Sequence, residues 1–237
     1  MIEWVLLVVI VCSVIQSVFG MGLLVFGTPS LLLMGLGFTE SLGYLLPASI
    51  AISAVQVCGC KRPPHAISPN LWYLCVPMIG AGLALSIFTS GELPINRVVG
   101  VILILSVAGV VVHRLRRVLL SAVERYSWPY HAAMGFIHGL SNMGGSLLSI
   151  YVASLNLDKS DTRYVVAYYY LVFSVWQVVI LLVTGRLDYS YNLITPVISV
   201  AVYLGLGNRV FRTASEPAYK SLFAVFMAAY GTALLVA

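Results

Sequence analysis

Two sets of polar side chains recur at helical spacing within otherwise apolar segments. Ser49, Ser53 and Gln56 are separated by four and three residues, so on a helix they would share one face. The same spacing recurs further along the chain in Tyr170, Ser174 and Gln177. Their hydroxyl and amide groups donate and accept hydrogen bonds. Such stripes would either line a cavity for a polar solute or bond neighbouring helices together without a ligand.

Two interruptions of apolar segments stand before these stripes in the chain. The first contains Gly20, Gly22 and Gly27 and continues as Thr28-Pro29-Ser30; the second is the segment 141–146. Glycine costs about 1 kcal/mol inside a helix, and proline is tolerated mainly in a first turn. We therefore predict a helix that ends, a short open loop and a second helix starting near Pro29. In a bilayer, broken backbone persists only where protein or a water-filled cavity satisfies it, which predicts a binding site.

The chemistry of such a site favours a small anion. Free N–H groups at the start of a helix attract negative charge, and no Lys or Arg is expected at mid-bilayer. His138, one turn before the second interruption, titrates near neutral pH; it would carry a proton, contact the anion or only pack. The predicted substrate-binding residues are Gly20, Gly22, Gly27, Thr28, Pro29, Ser30, Ser49, Ser53, Gln56, His138, Ser141, Asn142, Gly144, Gly145, Ser146, Tyr170, Ser174 and Gln177.

The amino-acid composition indicates an integral membrane protein. Of the 237 residues, 60% are hydrophobic and 9% charged, against about 25% charged in a soluble domain. The net charge of +5 comes from Lys and Arg in short connecting segments, which is not a nucleic-acid-binding pattern. Met1-Ile2-Glu3 lacks a basic signal-peptide start, so we expect the first span to be retained.

The sequence contains none of the enzyme or metal-binding motifs that we searched for, and we expect no cofactor. The sequence has no H-E-x-x-H or G-x-S-x-G motif and no cluster of acids for a metal. Cys58-Gly59-Cys60 is spaced too tightly for an ordinary structural zinc site and has no second pair. We interpret these cysteines as free thiols, with a metal or redox role as the alternative.

The sequence of the second half of the chain corresponds to that of the first half, which predicts a two-fold repeat. Adding 122 to the residue number takes Gly20-Met21-Gly22 onto Asn142-Met143-Gly144. Adding 121 takes Thr39-Glu40, a predicted helix cap, onto Ser160-Asp161, a second predicted cap. An offset of 121 also takes the stripe residues Ser53 and Gln56 onto Ser174 and Gln177. We assign residues 1–113 to the first repeat, 114–128 to a basic cytoplasmic linker and 129–237 to the second repeat.

The distribution of basic residues favours an inverted arrangement. If each interrupted element crosses the bilayer once, the repeats are parallel and the Lys and Arg divide seven to six between the two sides. If each is a re-entrant hairpin followed by three spans, the repeats are inverted and eleven lie inside, leaving Arg97 and Arg186 outside. The positive-inside rule favours the second arrangement. We therefore predict an all-α membrane protein of two inverted repeats, with both termini on the periplasmic side.

The interrupted segments, from Gly20 to Pro29 and from Gly135 to Ser146, resemble those of the sulfite exporter TauE/SafE family, also called toluene-sulfonate uptake permeases. The resemblance extends over essentially the whole chain. It implies passage of sulfite, sulfonates or related sulfur oxyanions across a bacterial inner membrane. The glycines and proline carried over are Gly20, Gly22, Gly27, Pro29, Gly139, Gly144 and Gly145. The chain departs from the family pattern at Leu23-Leu24, which thin the glycine cluster, and at Tyr151, which replaces a second proline.

These observations predict a secondary transporter for a small anion, working by alternating access around a midplane site. Protons are a possible coupling ion, and a homodimer is a possible assembly. Two alternatives stay open: a channel-like uniporter for small anions, and a non-transporting membrane assembly partner whose polar stripes only pack.

Overall fold

The computed structural model describes residues 2–59, 67–89, 94–155, 157–187 and 193–213, with residues 232 and 236. This part of the chain forms helices joined by turns and contains no β-strand. The helices are α1 Ile2–Phe19, α2 Leu23–Leu33, α3 Phe38–Cys58, α4 Leu71–Phe88, α5 Ile95–Val111, α6 His113–Arg125, α7 Ser127–Ser141, α8 Gly144–Ser154, α9 Lys159–Val183 and α10 Ile194–Thr213. Cys60, Lys61, Arg62 and Lys220 lie outside the described residues, as does nearly all of the last predicted span, 217–236.

Five helices have the length and apolar composition of a membrane span, namely α1, α3, α4, α9 and α10. The prediction of an all-helical chain is therefore confirmed for the described residues, and the five apolar helices are consistent with a membrane protein. α2 and α8 have 11 residues each and reach only about 16 Å, half of a bilayer core. α1, at 18 residues, reaches about 27 Å and is longer than the half-span that a hairpin needs. The inverted order of the repeats stays a prediction.

Two of the prolines within the described helices, one in α2 and one in α4, each follow a π-helical turn. Leu23–Gly27 and Leu71–Cys75 are π-helical, and Pro29 and Pro77 follow near the start of the α-helical segments that continue them. Proline lacks an N–H and its ring clashes with the carbonyl four residues earlier. A π turn widens the helix and so gives the ring room without ending the helix.

Each predicted helix cap lies two residues after the one observed. Gly37 precedes α3, and the Glu40 carboxylate accepts a hydrogen bond from the Gly37 N–H at 3.4 Å. α9 is capped by Asp158, whose Oδ1 accepts the N–H of Asp161 at 2.8 Å. The predicted caps Thr39 and Ser160 therefore lie inside their helices, because Gly and Asp before them supply the non-helical backbone that a cap needs.

The chain divides into two compact units, each of which combines parts of both sequence halves. Unit 1 comprises residues Met1–Pro64 and Arg163–Ser215. Within it, α1 packs against α3 and α10. The Ser13 and Ser199 hydroxyls lie 2.8 Å apart between α1 and α10, and Thr195 Oγ1 donates to the Tyr44 carbonyl of α3 at 2.9 Å.

Unit 2 comprises residues His65–Thr162 and Glu216–Ala237. Its described part is organised by α4 and α7, which approach closely along a line of glycines. A Cβ atom at Gly82 would collide with the Phe136 carbonyl, and one at Gly139 with the Ile79 carbonyl. Small residues permit such close backbone approach in membrane proteins, where van der Waals packing replaces the hydrophobic effect.

Candidate functional site

The first interruption is a three-residue break between α1 and α2. Gly20 adopts φ +75°, a left-handed conformation that favours glycine, and its N–H donates to the Gln16 carbonyl at 2.8 Å. The helix resumes at Leu23, so the prediction that it resumes near Pro29 is wrong. Leu23 to Phe26 are apolar and continue helically, and the π turn removes the need to stop at the proline.

The residues from Gly27 to Ser30 consequently lie inside a helix and not at its start. Gly27, Thr28, Pro29 and Ser30 are all buried, and the Ser30 hydroxyl donates to the Phe26 carbonyl at 2.7 Å. Their backbone N–H groups are therefore not the free donors that the sequence suggested. The start of α2 lies instead at Gly22 and Leu23.

Gln16, which the sequence reasoning missed, organises this break. Its Oε1 accepts the N–H of Leu23 at 3.0 Å and so caps the start of α2. Its Nε2 donates to the Ser53 hydroxyl at 3.1 Å and lies 3.3 Å from both the carbonyl and the hydroxyl oxygen of Ser49. Gln16, Ser49 and Ser53 have no exposed surface. One amide thus joins the broken backbone to the predicted stripe on α3.

The two predicted polar stripes meet in unit 1. Ser174 of α9 donates to Ser49 of α3, with 3.1 Å between the hydroxyl oxygens. About two turns beyond Ser49 on α3, Gln56 Nε2 donates to the carbonyls of Gln16 and Ser17 at 3.1 and 3.3 Å. Gln56 Oε1 is buried and has no hydrogen-bond partner among the described residues. The break is thus surrounded by uncharged donors and acceptors from α1, α3 and α9.

A second residue that the sequence reasoning missed is Arg163 of α9. Its guanidinium lies 3.4 Å from the carbonyl oxygen of Ser17, in the last turn of α1, and 3.6 Å from the ring centroid of Phe211. A cation is favourable at a helix C-terminus and over an aromatic face. A Cβ atom at Gly20 would lie 2.9 Å from the Arg163 carbonyl oxygen. A positive charge therefore lies near the break, where the sequence analysis expected no Lys or Arg.

The second interruption lies in unit 2 and is confirmed at its predicted position. α7 ends at Ser141, Asn142 adopts φ 63°, and α8 begins at Gly144. Ser141 Oγ donates to the Ile137 carbonyl at 2.7 Å, and Ser146 Oγ donates to the Met143 carbonyl at 2.9 Å. Asn142, Gly144, Gly145 and Ser146 are buried. These hydroxyls therefore stabilise the local backbone.

The two interruptions share two backbone features, each within its own unit. Applying the repeat offset, 16 + 122 = 138, pairs Gln16 with His138. The Asn142 N–H donates to the His138 carbonyl at 2.8 Å, matching the bond from Gly20 to Gln16. A Cβ at Gly144 would lie 2.8 Å from the Met134 carbonyl oxygen, and one at Gly22 the same distance from that of Cys12. The two breaks thus begin in a similar way, and this offset was the signal that would have identified Gln16.

The predicted site residues divide between the units. Unit 1 contains Gly20, Gly22, Gly27, Thr28, Pro29, Ser30, Ser49, Ser53, Gln56, Tyr170, Ser174 and Gln177, and unit 2 contains His138, Ser141, Asn142, Gly144, Gly145 and Ser146. Tyr170, Gln177 and His138 are completely buried. Among the described residues, no group of three or more His, Cys, Asp and Glu could hold a metal ion.

The family model for the sulfite exporter TauE/SafE matches residues 5–234. The chain belongs to the TauE/SafE family. This match covers both interruptions and both polar stripes, and the family is one of membrane transporters. No curated protein and no solved structure matches this TauE/SafE chain.

Proposed function

We propose that this TauE/SafE chain is a secondary transporter that carries sulfite, an organosulfonate or a related sulfur oxyanion across a bacterial inner membrane. The observation that carries the proposal is the convergence of buried, uncharged polar groups from α1, α3 and α9 on the break at Gly20–Gly22. Gln16, Ser49, Ser53 and Ser174 form one continuous hydrogen-bonded group there, next to a helix start whose dipole favours negative charge.

The chemistry of this group suits a substrate that is bound weakly and released. Amides and hydroxyls donate hydrogen bonds to an oxyanion without the strong, desolvated ion pair that a buried Lys or Arg would form. Gln56 Oε1, which has no partner among the described residues, can accept a hydrogen bond from a protonated solute. Arg163 lies at the C-terminal end of α1 and draws anions toward the break.

The proposed cycle uses the shared geometry of the two interruptions. Transporters with discontinuous helices bind substrate near the bilayer midplane and expose the site alternately to either side. We assign the predicted residues of the second interruption, His138 and Ser141 to Ser146, the same role in unit 2 as the first interruption has in unit 1. The proposal also includes protons as the coupling ion and a homodimer as the assembly.

Variants of the two stripes test whether the polar groups bind substrate or only hold helices together. Ser53→Ala and Gln177→Leu should each lower saturable sulfite flux into proteoliposomes at least tenfold, while the purified chain remains monodisperse and its thermal unfolding temperature changes little. Ser13→Ala is the matched control, since it removes a buried hydroxyl of α1 that faces α10 and not the break. Loss of folding with proportionate loss of flux would instead assign the stripes a packing role.

A further inference from the structure

The amphipathic helix α6 has no part in the proposed transport site. It carries four arginines and one glutamate in thirteen residues. Val112, in extended conformation, separates α6 from α5, and Tyr126 alone separates it from α7. Since α5 is an apolar helix and α7 opens the second interruption, these short connections keep α6 at the membrane.

The two faces of α6 differ sharply. Its inner face packs against α5, α7 and α8 and includes the buried Val123. Its outer face consists of residues spaced by three, four, seven and eleven positions, all of them exposed: Arg114, Arg117, Val118, Ser121 and Arg125. Val118 is 63% exposed between these arginines. An apolar side chain amid arginines matches the boundary between lipid headgroups and acyl chains, where arginine stems extend toward the headgroups.

Aromatic side chains extend this outer face beyond the end of α6. Trp128 is 71% exposed, and Tyr126 is exposed beside it. The Arg125 guanidinium lies 5.6 Å from the Tyr126 ring centroid. Tryptophan and tyrosine are enriched at membrane–water interfaces because their rings are apolar and their edges polar. Charge, exposed valine and aromatic rings therefore occur together on one surface.

We propose that the outer face of α6 binds the headgroups of anionic phospholipids. Positive charge on the exposed arginines complements the phosphate groups, and Val118 and Trp128 reach the apolar boundary below them. Each arginine near an anionic surface contributes about 1 kcal/mol, a preference of about fivefold. Binding at this face anchors α6 in the plane of the bilayer and, through its contacts with α7 and α8, supports the elements of the second interruption.

Fluorescence quenching of the purified full chain tests the proposal. The chain is incorporated in mixed micelles of phosphatidylcholine and phosphatidylglycerol, with bromine on the acyl chains of one lipid or the other. The contribution of Trp128 is the difference between the unmodified chain and Trp128→Phe. At 50 mM NaCl, brominated phosphatidylglycerol should associate at this position at least fivefold more strongly than brominated phosphatidylcholine, and 500 mM NaCl should weaken the preference through screening.

Charge variants test whether the arginines of α6 cause the preference for phosphatidylglycerol. R114Q/R117Q should remove most of this preference, whereas R114K/R117K should keep most of it because the charge remains. R97Q/R186Q is the matched control: it removes two exposed arginines elsewhere in the chain and should leave the preference unchanged. Equal quenching by both lipids, a preference insensitive to salt, or the same loss in R97Q/R186Q would overturn the proposal. Binding of an acidic soluble protein to this face without any lipid preference would do so too.

Discussion

Replacing Gln16 by leucine removes the side chain that joins the first break to the polar stripe of α3. Gln16→Leu leaves the buried Leu23 N–H without its acceptor at 3.0 Å, which costs about 1–3 kcal/mol. It also removes the contacts to Ser49 and Ser53, and side-chain hydrogen bonds inside membrane proteins contribute about 0.6 kcal/mol each on average. The free energy of unfolding should therefore fall by about 2–4 kcal/mol.

Reversible unfolding of the purified chain in mixed micelles, followed by helical circular dichroism against increasing dodecyl sulfate, measures this loss. Ser13→Ala is the control one turn earlier on α1: its hydroxyl lies 2.8 Å from that of Ser199, and its removal leaves no backbone N–H without a partner. We expect a loss of about 1 kcal/mol or less for the control. A loss in Gln16→Leu no larger than that in Ser13→Ala would refute the role we give to Gln16.

Three further predictions concern the same break, its neighbouring cation and the chain topology. Gly20→Ala should cost about 1 kcal/mol more than Gly35→Ala, because both glycines have positive φ but only a Cβ at Gly20 meets a carbonyl, at 2.9 Å; equal losses in unfolding experiments would contradict this. A double-mutant cycle of Arg163→Gln and Phe211→Ala, measured by unfolding, should give a coupling free energy of about 0.5–2 kcal/mol for the cation 3.6 Å from the ring centroid. A coupling free energy of zero would show that this contact does not stabilise the chain. Reporter fusions should place residues 114–125 in the cytoplasm and the C-terminus on the other side, and finding both on one side would exclude the inverted repeat.

Much of the fold follows from apolar length and from glycine placement. The apolar segments predicted the long helices, and Asn142-Met143-Gly144 marked the second break correctly, since few residues other than Gly and Asn adopt positive φ readily. The first break was predicted only in part. We predicted that the break ends near Pro29, whereas α2 begins at Leu23. The prediction took the proline as a helix start, but a proline can follow a π-helical turn within a continuing helix, and π turns have no clear sequence signature.

The candidate site residues that recur at helical spacing could be predicted from the sequence. Those that are recognised only by their contacts in the folded chain could not. Ser49 and Ser174 were predicted from their spacing, and their hydrogen bond follows from the packing of α3 and α9. Gln16 is a single amide in an apolar helix, so no periodicity points to it; only its repeat relation to His138 does. Arg163 lies inside α9, and its contacts with the Ser17 carbonyl and the Phe211 ring depend on tertiary packing, so no sequence pattern indicates them.

Sulfite flux into proteoliposomes containing the purified chain, with sulfoacetate, thiosulfate and sulfate as competitors, decides whether the chain transports sulfur oxyanions. Uptake should saturate with sulfite concentration, be reduced by at least one of these competitors and be absent from empty liposomes. Uptake that rises linearly without competition would indicate a channel, and uptake equal to that of empty liposomes for every anion would contradict transport of sulfur oxyanions by this chain.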